Sequence, residues 1–562
     1  MDEQRDIAKH DLGLNRIHSK ADGERYRREE WWRDVTHLDD FLEQVERVPD
    51  KTAIVSWCKD GDTQIISYSE LGAKVEAMAS ALLALGVARG DIVSMQLPNG
   101  WQFPVLAFAV MRVGAIPNPI PPIYRAHEVE FMLRHAGSSV FAVPEEFRGF
   151  SHLGLAKDML DKIDGLEHII VIGGQSDDGR IHDFDRMIDS ALAPDPDELE
   201  SRRPGADDPA VLLFTSGTTG TPKAAIHTHN TIWSAGRPIP DALALTDSDV
   251  AFMASTIGHL TGFYWGTVLP LSMGQKLVYQ DVWDPFAMLE LIESEGISWT
   301  LSATPFAMDL VEAVRRRPSS LGSFRAFVCG GATIPPKVAL EVQSELGVGL
   351  ISLWGCTEMG ICTIHRVGAP IEILADSDGF EVDRMELRVV DEDGTPVDDQ
   401  DEGRLQVRGP SIFAGYFRQP ELTEELRTPD GWFDTGDLGR RSKTGGIRIS
   451  GRSKDIIIRG GQNIPVVEIE NELARIPAVR DVAVVAVPDA RMGEKGCAVL
   501  VTDGADITLE AVREHLAESG MAKQFWPEFV HVINEMPRTP AGKIKKYALR
   551  EQLAHLGARK DS

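Results

Sequence analysis

The sequence has few cysteines, no unbroken apolar run long enough to span a membrane, and no excess of positive charge. Its 562 residues include five cysteines and no CxxC pair, which excludes a disulfide framework and the usual zinc-ligand spacing. The most apolar run, residues 103–123, is interrupted by Arg112 and by prolines. It therefore predicts a buried helix followed by a proline-rich loop rather than a membrane span. The first twenty residues lack an apolar core and predict no signal peptide, so we expect a cytoplasmic protein.

Acidic residues exceed basic ones by a wide margin. The sequence has 58 Lys and Arg against 86 Asp and Glu, a formal net charge of −28. This charge disfavours nucleic acid and anionic membranes as partners, and it requires that any anion site carry its positive charge locally. The length exceeds what one hydrophobic core usually supports, so two or more domains are expected.

A loop rich in glycine and hydroxyl groups follows an apolar strand at residues 211–214. The loop reads TSGTTGTPK; its glycines bring backbone N–H groups close to a ligand, and consecutive amides attract anions. It is not the GxxxxGK[ST] loop, because no Ser or Thr follows its lysine. The alternative, a flexible surface loop, is disfavoured by the buried strand that precedes it. The residues predicted to hold a polyphosphate are Thr215, Ser216, Gly217, Thr218, Thr219, Gly220 and Lys223.

Four further segments follow in order. They are CGGATIPP at 329–336, LWGCTEMG at 353–360, DGWFDTGDLGRRSKTGGIRISGRSKDIIIRGGQN at 430–463, and RTPAGKIKK at 538–546. With the loop above, they resemble the adenylate-forming superfamily of acyl-CoA synthetases, carrier-protein-loading adenylation enzymes and luciferases, from about residue 50 onward. The resemblance implies that a carboxylate attacks the α-phosphate of ATP and that a thiol then displaces AMP. Such chemistry depends on positioning and charge neutralisation, so no Ser/His/Asp signature is required.

Strands and helices alternate along the first part of the chain. Residues 52–57 form a predicted strand, and Ser67 and Glu70 stand at capping-box spacing before a helical apolar repeat. Gly86 falls where a left-handed cap would end that helix. The alternation predicts an α/β fold with parallel sheets covered by helices on both faces.

The pattern changes at about Gly379. Period-two patterns around Asp-Gly turns in residues 385–416 predict a hairpin or small barrel-like β region. Toward the C-terminus the sequence predicts a helix, a strand and a second helix, which together indicate a small α+β domain. We therefore divide the chain into a large N-terminal adenylation domain, residues 1–453, and a small mobile C-terminal domain, residues 454–562.

The resemblance also implies most of the nucleotide site. Asp437 in WFDTGD is expected to accept hydrogen bonds from both ribose hydroxyls, and Arg452 to contact the ribose and phosphate side. Trp354 stands where many relatives have tyrosine and is expected to stack on adenine. Cys356 is interpreted as a packing residue of this site rather than a nucleophile. The other positions implied for ATP or AMP are Gly330, Gly331, Ala332, Gly355 and Ile449.

Four residues are expected to act in catalysis. Glu358 is the magnesium candidate, because a hard carboxylate suits a hard cation that bridges phosphates. Thr357 beside it is expected to hydrogen-bond the α-phosphate. Lys543, in TPAGKIKK, would stabilise charge on the attacking carboxylate and the α-phosphate. His259 would lie against the reacting acid, although a lone histidine on an apolar segment is more often structural.

The second half-reaction is expected to use a different arrangement of the domains. Lys454 occupies the hinge position of the superfamily, about which the small domain would rotate and carry Lys543 out of the site. Gly460 and Gly461 would then line the tunnel for the pantetheine arm of CoA.

The acid pocket is predicted from residues 256–266, TIGHLTGFYWG, with His259, Thr261 and Gly262 as its members. Leu260 stands where siderophore-type aryl acid ligases usually have Asn, which disfavours a catechol acid. The segment looks most like ligases of alicyclic, aromatic and short-to-medium acids, such as cyclohexanecarboxylate–CoA ligases.

The predicted function is an AMP-forming acid–CoA ligase that uses ATP, Mg²⁺ and CoA. The alternative is a stand-alone adenylation enzyme of the 2,3-dihydroxybenzoate–AMP ligase type, which loads the pantetheine of a separate carrier protein. We expect a monomer or homodimer whose partners are a small carboxylic acid and CoA or a carrier protein.

Overall fold

The computed structural model describes residues 17–192, 195–215, 222–331, 334, 336–452, 457–459, 462–464, 466–489, 493–519, 521, 523–539 and 542–556. The strands are β1 (Thr52–Trp57), β2 (Gln64–Ser67), β3 (Ile92–Met95), β4 (Ile116–Pro119), β5 (Val140–Pro144), β6 (Glu146–Phe147), β7 (Phe150–Ser151), β8 (His168–Ile172), β9 (Ile181–Asp183), β10 (Pro209–Thr215), β11 (Lys223–Thr228), β12 (Val250–Met253), β13 (Lys276–Gln280), β14 (Trp299–Ser302), β15 (Ala326–Cys329), β16 (Gly349–Cys356), β17 (Gly360–Ile364), β18 (Phe380–Glu381), β19 (Glu386–Val390), β20 (Gly403–Arg408), β21 (Gly415–Tyr416), β22 (Phe433–Arg441), β23 (Ile447–Arg452), β24 (Ile457–Arg459), β25 (Gln462–Ile464), β26 (Val479–Asp489), β27 (Gly493–Thr502) and β28 (Phe529–Val532).

The α-helices span Lys20–Arg28, His37–Arg47, Tyr68–Ala84, Gln102–Arg112, Ala126–Ala136, His152–Lys162, Phe184–Asp189, Pro196–Ser201, His229–Gly236, Pro238–Leu243, Leu269–Ser272, Pro285–Glu295, Thr304–Arg316, Pro336–Leu346, Ile371–Asp376, Pro420–Glu425, Val466–Leu473, Leu509–Glu518 and Lys546–Leu553. A π-helix covers Thr261–Val268, and 3₁₀ turns cover Lys523–Phe525 and Ala554–Leu556. In the described part of the chain, none of the helices combines the length and the apolarity needed to cross a membrane.

The largest sheet has nine strands in the order β18-β17-β16-β15-β14-β12-β13-β1-β2. Its six inner strands, β16 to β1 in that order, are parallel, and the pairs at both edges are antiparallel. Helices Pro285–Glu295, Thr304–Arg316 and Pro336–Leu346 pack on one face, and a larger apolar cluster covers the other. The predicted α/β architecture is confirmed.

A second sheet is parallel throughout, in the order β4-β3-β5-β8-β9. The proline-rich loop predicted after helix Gln102–Arg112 is wrong in part, because residues 116–119 form strand β4. β4 lies at the edge of its sheet, where Pro117 and Pro119 need not donate backbone hydrogen bonds to a neighbouring strand.

The helix predicted after Ser67 is confirmed in detail. Ser67 caps helix Tyr68–Ala84 and exchanges capping-box hydrogen bonds with Glu70. Gly86 has φ +82° just beyond the helix, the left-handed geometry that glycine adopts at low cost.

Two further sheets lie in the C-terminal part of the chain, antiparallel except for the parallel pair of β27 and β28. β19, β20, β22 and β23 form a four-stranded sheet over residues 386–452, where the sequence predicted a hairpin or small barrel. The strands from β24 to β28 form a sheet with apolar clusters of its own. A small C-terminal α+β domain therefore follows the large N-terminal one, as predicted, while the proposed hinge Lys454 lies outside the described residues.

Candidate active site

A cavity of about 350 Å³ lies at the carboxyl ends of parallel strands in the nine-stranded sheet. Ser302, Gly330 and Gly355 line it at or just beyond the ends of β14, β15 and β16. Ligands of open α/β sheets usually bind at such an edge, because the loops that leave the strands converge there. The predicted site residues that line the cavity are Thr215, Lys223, His259, Thr261, Gly330, Gly331, Gly355, Cys356, Thr357, Glu358 and Lys543.

Five of the described predicted site residues do not line this cavity. Asp437 and Trp354 are buried, and the Trp354 indole N–H donates to Asp437 Oδ2 at 2.8 Å. The backbone of Arg452 pairs with that of Asp437 across β22 and β23. Gly262 is buried in the π-helix, and Ile449 lines a different cleft of about 400 Å³. The predicted site residues that lie outside the described residues are Ser216, Gly217, Thr218, Thr219, Gly220, Ala332, Lys454, Gly460 and Gly461.

The phosphate-loop motif begins and ends on paired strands. β10 and β11 are antiparallel, and Thr215 pairs with Lys223 at the end of their ladder. The Thr215 hydroxyl also donates to the Lys223 carbonyl at 3.4 Å. This pairing fixes where the loop leaves and re-enters the sheet, beside the cavity.

Glu358 is held by residues that sequence reasoning missed. The Tyr416 hydroxyl donates to Glu358 Oε1 at 2.7 Å, and the Phe413 N–H donates to the Glu358 carbonyl at 2.8 Å. Tyr416 belongs to β21, which pairs with β11 through Ala225. Lys223 Nζ lies 5.2 Å from the centroid of the Tyr416 ring, so one tyrosine contacts both a cation and a carboxylate of the cavity.

His227 supports the neighbouring residue Thr357. Its Nε2 lies 2.6 Å from the Thr357 carbonyl, and Nδ1 lies 3.0 Å from the Thr231 hydroxyl. Burial lowers the pKa of His227 to about 4, so the ring is neutral near pH 7. Because a carbonyl only accepts, Nε2 carries the ring hydrogen.

Burial determines the protonation states of two further groups, Cys356 and His259. It raises the pKa of the Cys356 thiol well above its ordinary value. Nucleophilic attack requires the thiolate, which this raised pKa disfavours, and the packing role of Cys356 stays a prediction. Burial, reinforced by the charge of Lys543, lowers the pKa of His259 to about 4, so that ring is also neutral near pH 7.

Lys543 reaches the cavity from the C-terminal domain. The Lys543 backbone N–H donates to the Thr539 hydroxyl at 3.1 Å, and the Lys543 carbonyl accepts from the Thr539 backbone N–H at 2.6 Å. The Lys543 side chain passes over Gly331, where an added Cβ would lie 3.5 Å from its Cε. Lys223 and Lys543 thus supply local positive charge in a chain of net charge −28.

A cavity that combines two lysines, a threonine and a carboxylate at the end of parallel strands fits an adenylate-forming enzyme. The family model described as AMP-binding enzyme matches residues 41–417, and that of the AMP-binding enzyme C-terminal domain matches residues 468–543. The chain belongs to the AMP-binding enzyme family. This membership confirms the predicted class, an AMP-forming acid–thiol ligase.

Individual relatives match over almost the whole chain. The medium-chain fatty-acid–CoA ligase of Escherichia coli is 34% identical, over 94% of this chain and 92% of the relative. The salicyl-AMP ligase/salicyl-S-ArCP synthetase of Mycobacterium tuberculosis is 32% identical, with the same two coverages. The structure of ATP-bound MatB from Rhodopseudomonas palustris aligns with a TM-score of 0.81 and 28% identity, over 93% of this chain and all of that one.

Proposed function

We propose that the protein condenses a carboxylic acid with ATP to an acyl-adenylate and pyrophosphate, and then transfers the acyl group to CoA with release of AMP. The observation that carries this proposal is the meeting of Lys223, Glu358 and Lys543 in one cavity. These residues come from separate parts of the chain, and their charges suit the phosphates of ATP and an attacking carboxylate.

The two lysines would have separate roles. Lys223, next to the phosphate loop, would bind the β- and γ-phosphates together with the loop amides and hydroxyls. Lys543 would lie between the acid and the α-phosphate, where negative charge accumulates as the carboxylate attacks. A fixed cation at that point stabilises the transition state more than the separate reactants. His259, neutral and beside Lys543, would contact the acid without adding charge.

The residues of the cavity fit a magnesium ion bound mainly by phosphate. Among the described residues there is no group of three or more His, Cys, Asp or Glu suited to holding a metal. Glu358 is nevertheless a carboxylate on the cavity wall, oriented by the Tyr416 hydroxyl. Mg²⁺ is commonly held by one or two carboxylates together with substrate phosphates and water. When bound, the ion would neutralise phosphate charge, while Thr357 would donate to the α-phosphate.

The nucleoside would bind beside these groups. Asp437 would accept hydrogen bonds from the ribose hydroxyls, and its contact with the Trp354 indole N–H at 2.8 Å would fix the carboxylate in place. The backbone pairing of Arg452 with Asp437 supports a role for that arginine on the ribose and phosphate side. Gly330, Gly331 and Ala332 are proposed to line the adenine and acyl pocket, and Trp354 to stack on adenine. Gly355 and Cys356, which line the cavity, are proposed as further ATP-binding residues, as is Ile449, although Ile449 lines a different cleft.

One site would serve both half-reactions through rotation of the C-terminal domain. The boundary is proposed at residues 453 and 454, with Lys454 as the hinge and Gly460 and Gly461 as the lining of the pantetheine tunnel. The separate apolar clusters of the C-terminal sheet support a unit that moves as a whole. Removing Lys543 from the cavity would make room for the thiol.

The acid is proposed to be alicyclic, aromatic or of short-to-medium chain length, and the thiol to be free CoA. The names of the E. coli and M. tuberculosis relatives cover both a CoA ligase and a carrier-loading enzyme, so carrier-protein loading is the second candidate. A cytoplasmic location is supported by five cysteines that are all free thiols.

The test is pyrophosphate release across a panel of carboxylic acids, with and without CoA, followed by mass spectrometry of the products. We expect pyrophosphate with a subset of acids, and an acyl-CoA thioester with AMP when CoA is present. An acyl-adenylate that persists in the presence of CoA, but is discharged by a phosphopantetheinylated carrier protein, would favour the second candidate. No pyrophosphate with any acid would contradict the function.

A further inference from the structure

The loop of residues 410–413, between β20 and β21, holds the backbone at Glu358. The Phe413 N–H donates to the Glu358 carbonyl at 2.8 Å, and the Ser411 hydroxyl donates to the Met359 carbonyl at 2.7 Å. Both donating residues are buried. Two successive carbonyls at the proposed magnesium ligand therefore depend on where this loop lies.

The other side of the 410–413 loop is held by the N-terminal segment of residues 17–34. The Trp32 indole N–H donates to the Pro410 carbonyl at 3.1 Å, and His18 Nε2 lies 2.7 Å from the Ile412 carbonyl. Since a carbonyl only accepts, the His18 ring donates through its Nε2–H. At alternate residues the loop therefore accepts from the N-terminal segment, and at the residues between and after them it donates to the backbone at the site.

Trp32 is fixed against its surroundings. The residue is 9% exposed, and its ring meets that of Tyr26 at an angle of 65° and a centroid separation of 5.1 Å. A Cβ on Gly23 would lie 3.1 Å from the Trp32 ring, so the first helix lies flush against the indole. The Arg33 N–H donates to the Asn230 side chain at 2.7 Å, which fixes the backbone next to Trp32. The indole therefore has little freedom to turn away from the loop.

We propose that Trp32 and His18 are positioning residues for Glu358 and act through the 410–413 loop. A ligand group that is already in place binds a metal more tightly, and the partners behind a metal ligand commonly affect metal affinity. Loss of either donor leaves a loop carbonyl without its partner and loosens the loop. This inference rests on the proposed function and goes beyond it, because it gives the N-terminal segment a part in magnesium-dependent use of ATP.

The test has one readout without catalysis and one with it. Trp32→Phe and His18→Phe each keep an aromatic ring and remove the donor. In the enzyme without nucleotide or metal, hydrogen exchange of the Phe413 amide, measured by mass spectrometry, should be about three- to tenfold faster in each variant. The Mg²⁺ concentration for half-maximal pyrophosphate release should rise by about the same factor. Saturating Mg²⁺ should restore most of the rate, and the KM for the acid should not change.

The matched control is Trp31→Phe. Trp31 lies beside Trp32, and its ring stacks on that of Tyr26 at 5.7 Å. The hydrogen bond to the loop is made by Trp32 rather than by Trp31, so the control should match the wild type in both readouts. If Trp32→Phe does not fold, replacement of Trp32 by 3-benzothienylalanine removes the N–H and keeps the ring shape.

Three results would overturn the inference: unchanged exchange of the Phe413 amide, unchanged Mg²⁺ dependence, or an equal shift in Trp31→Phe. Each of them leaves pyrophosphate release by the wild-type enzyme, and with it the proposed function, intact. A wild-type enzyme that releases no pyrophosphate with any acid would instead contradict the proposed function. The exchange measurement needs no substrate, so the two failures give different results.

Discussion

Glu358 and Lys543 face the same cavity, but the chain holds them in different ways. Glu358 is fixed by the Tyr416 hydroxyl and by the Phe413 N–H, both from the N-terminal domain that also carries Glu358. Lys543 is fixed within its own turn by Thr539, and it reaches the cavity only because the C-terminal domain lies against the sheet edge. The carboxylate side of the site is thus preorganised, whereas the lysine side depends on docking between domains.

This difference matches the needs of a two-step reaction. Under the proposed function, the phosphates and Glu358 would stay in one place, while Lys543, proposed to act only in the first step, would leave the site with the C-terminal domain. The two residues should therefore respond differently to substitution. Loss of Lys543 should slow one half-reaction only. Disturbance of Glu358 should instead cause a moderate loss of metal-dependent ATP use.

The largest effect is expected for Lys543→Ala. Adenylate formation should fall about 10²- to 10³-fold, the usual loss for one electrostatic stabiliser of a transition state. Thioester formation from a supplied acyl-adenylate should be spared. Lys546→Ala is the control, because Lys546 lies in the same segment and pairs with Glu470 at 2.7 Å. Single-turnover experiments measure the rates of adenylate formation and of thioester formation separately. An equal loss of both rates would contradict the role of Lys543.

The second variant addresses the proposed movement itself. Lys454→Pro would fix φ near −65° and remove a backbone donor, so a hinge at this position could not turn freely. Pyrophosphate release on mixing acid and ATP should persist, while transfer to CoA should slow on the order of 10²-fold, as expected for misplaced reactants. If Lys454 is only a surface residue, the ratio of the two single-turnover rates will not change.

Asp437→Ala tests the preorganised side. A hydrogen bond to a charged group contributes about 1.5–3 kcal/mol, so the loss of even one of the two ribose hydrogen bonds should lower the affinity for ATP and AMP about 10- to 150-fold. The ranking of acids should not change, because the ribose is common to every substrate. Calorimetric titration with AMP and an acid panel measure the two quantities separately. Normal nucleotide affinity with an altered acid ranking would place Asp437 in another role.

The residues predicted from the sequence and those missed differ in whether their defining interactions are local or link positions far apart in the chain. The cap formed by Ser67 and Glu70 is local, so its spacing was sufficient to predict it. The cavity residues of the motifs were identified because their composition and order resemble a family. No local sequence motif identifies Tyr416. It reaches the site because its strand pairs with Ala225, about 190 residues earlier. The interpretation of residues 116–119 as a loop was wrong because position at a sheet edge, which tolerates proline, depends on the assembled sheet.

The smallest effect is expected for Tyr416→Phe, which isolates the anchoring of Glu358. The substitution removes one hydroxyl that donates to Glu358 Oε1 and keeps the ring that faces Lys223. Because water in the open cavity can replace the hydroxyl, the loss should be about 1 kcal/mol, seen as a roughly fivefold higher Mg²⁺ concentration for half-maximal pyrophosphate release. Saturating Mg²⁺ should restore most of the rate, since the carboxylate remains. Tyr68→Phe is the control: its hydroxyl donates to the Gln275 carbonyl at 2.7 Å in the core, so it should lower thermal stability without altering the Mg²⁺ dependence. A Tyr416→Phe enzyme with unchanged Mg²⁺ dependence would mean that strand packing alone orients Glu358.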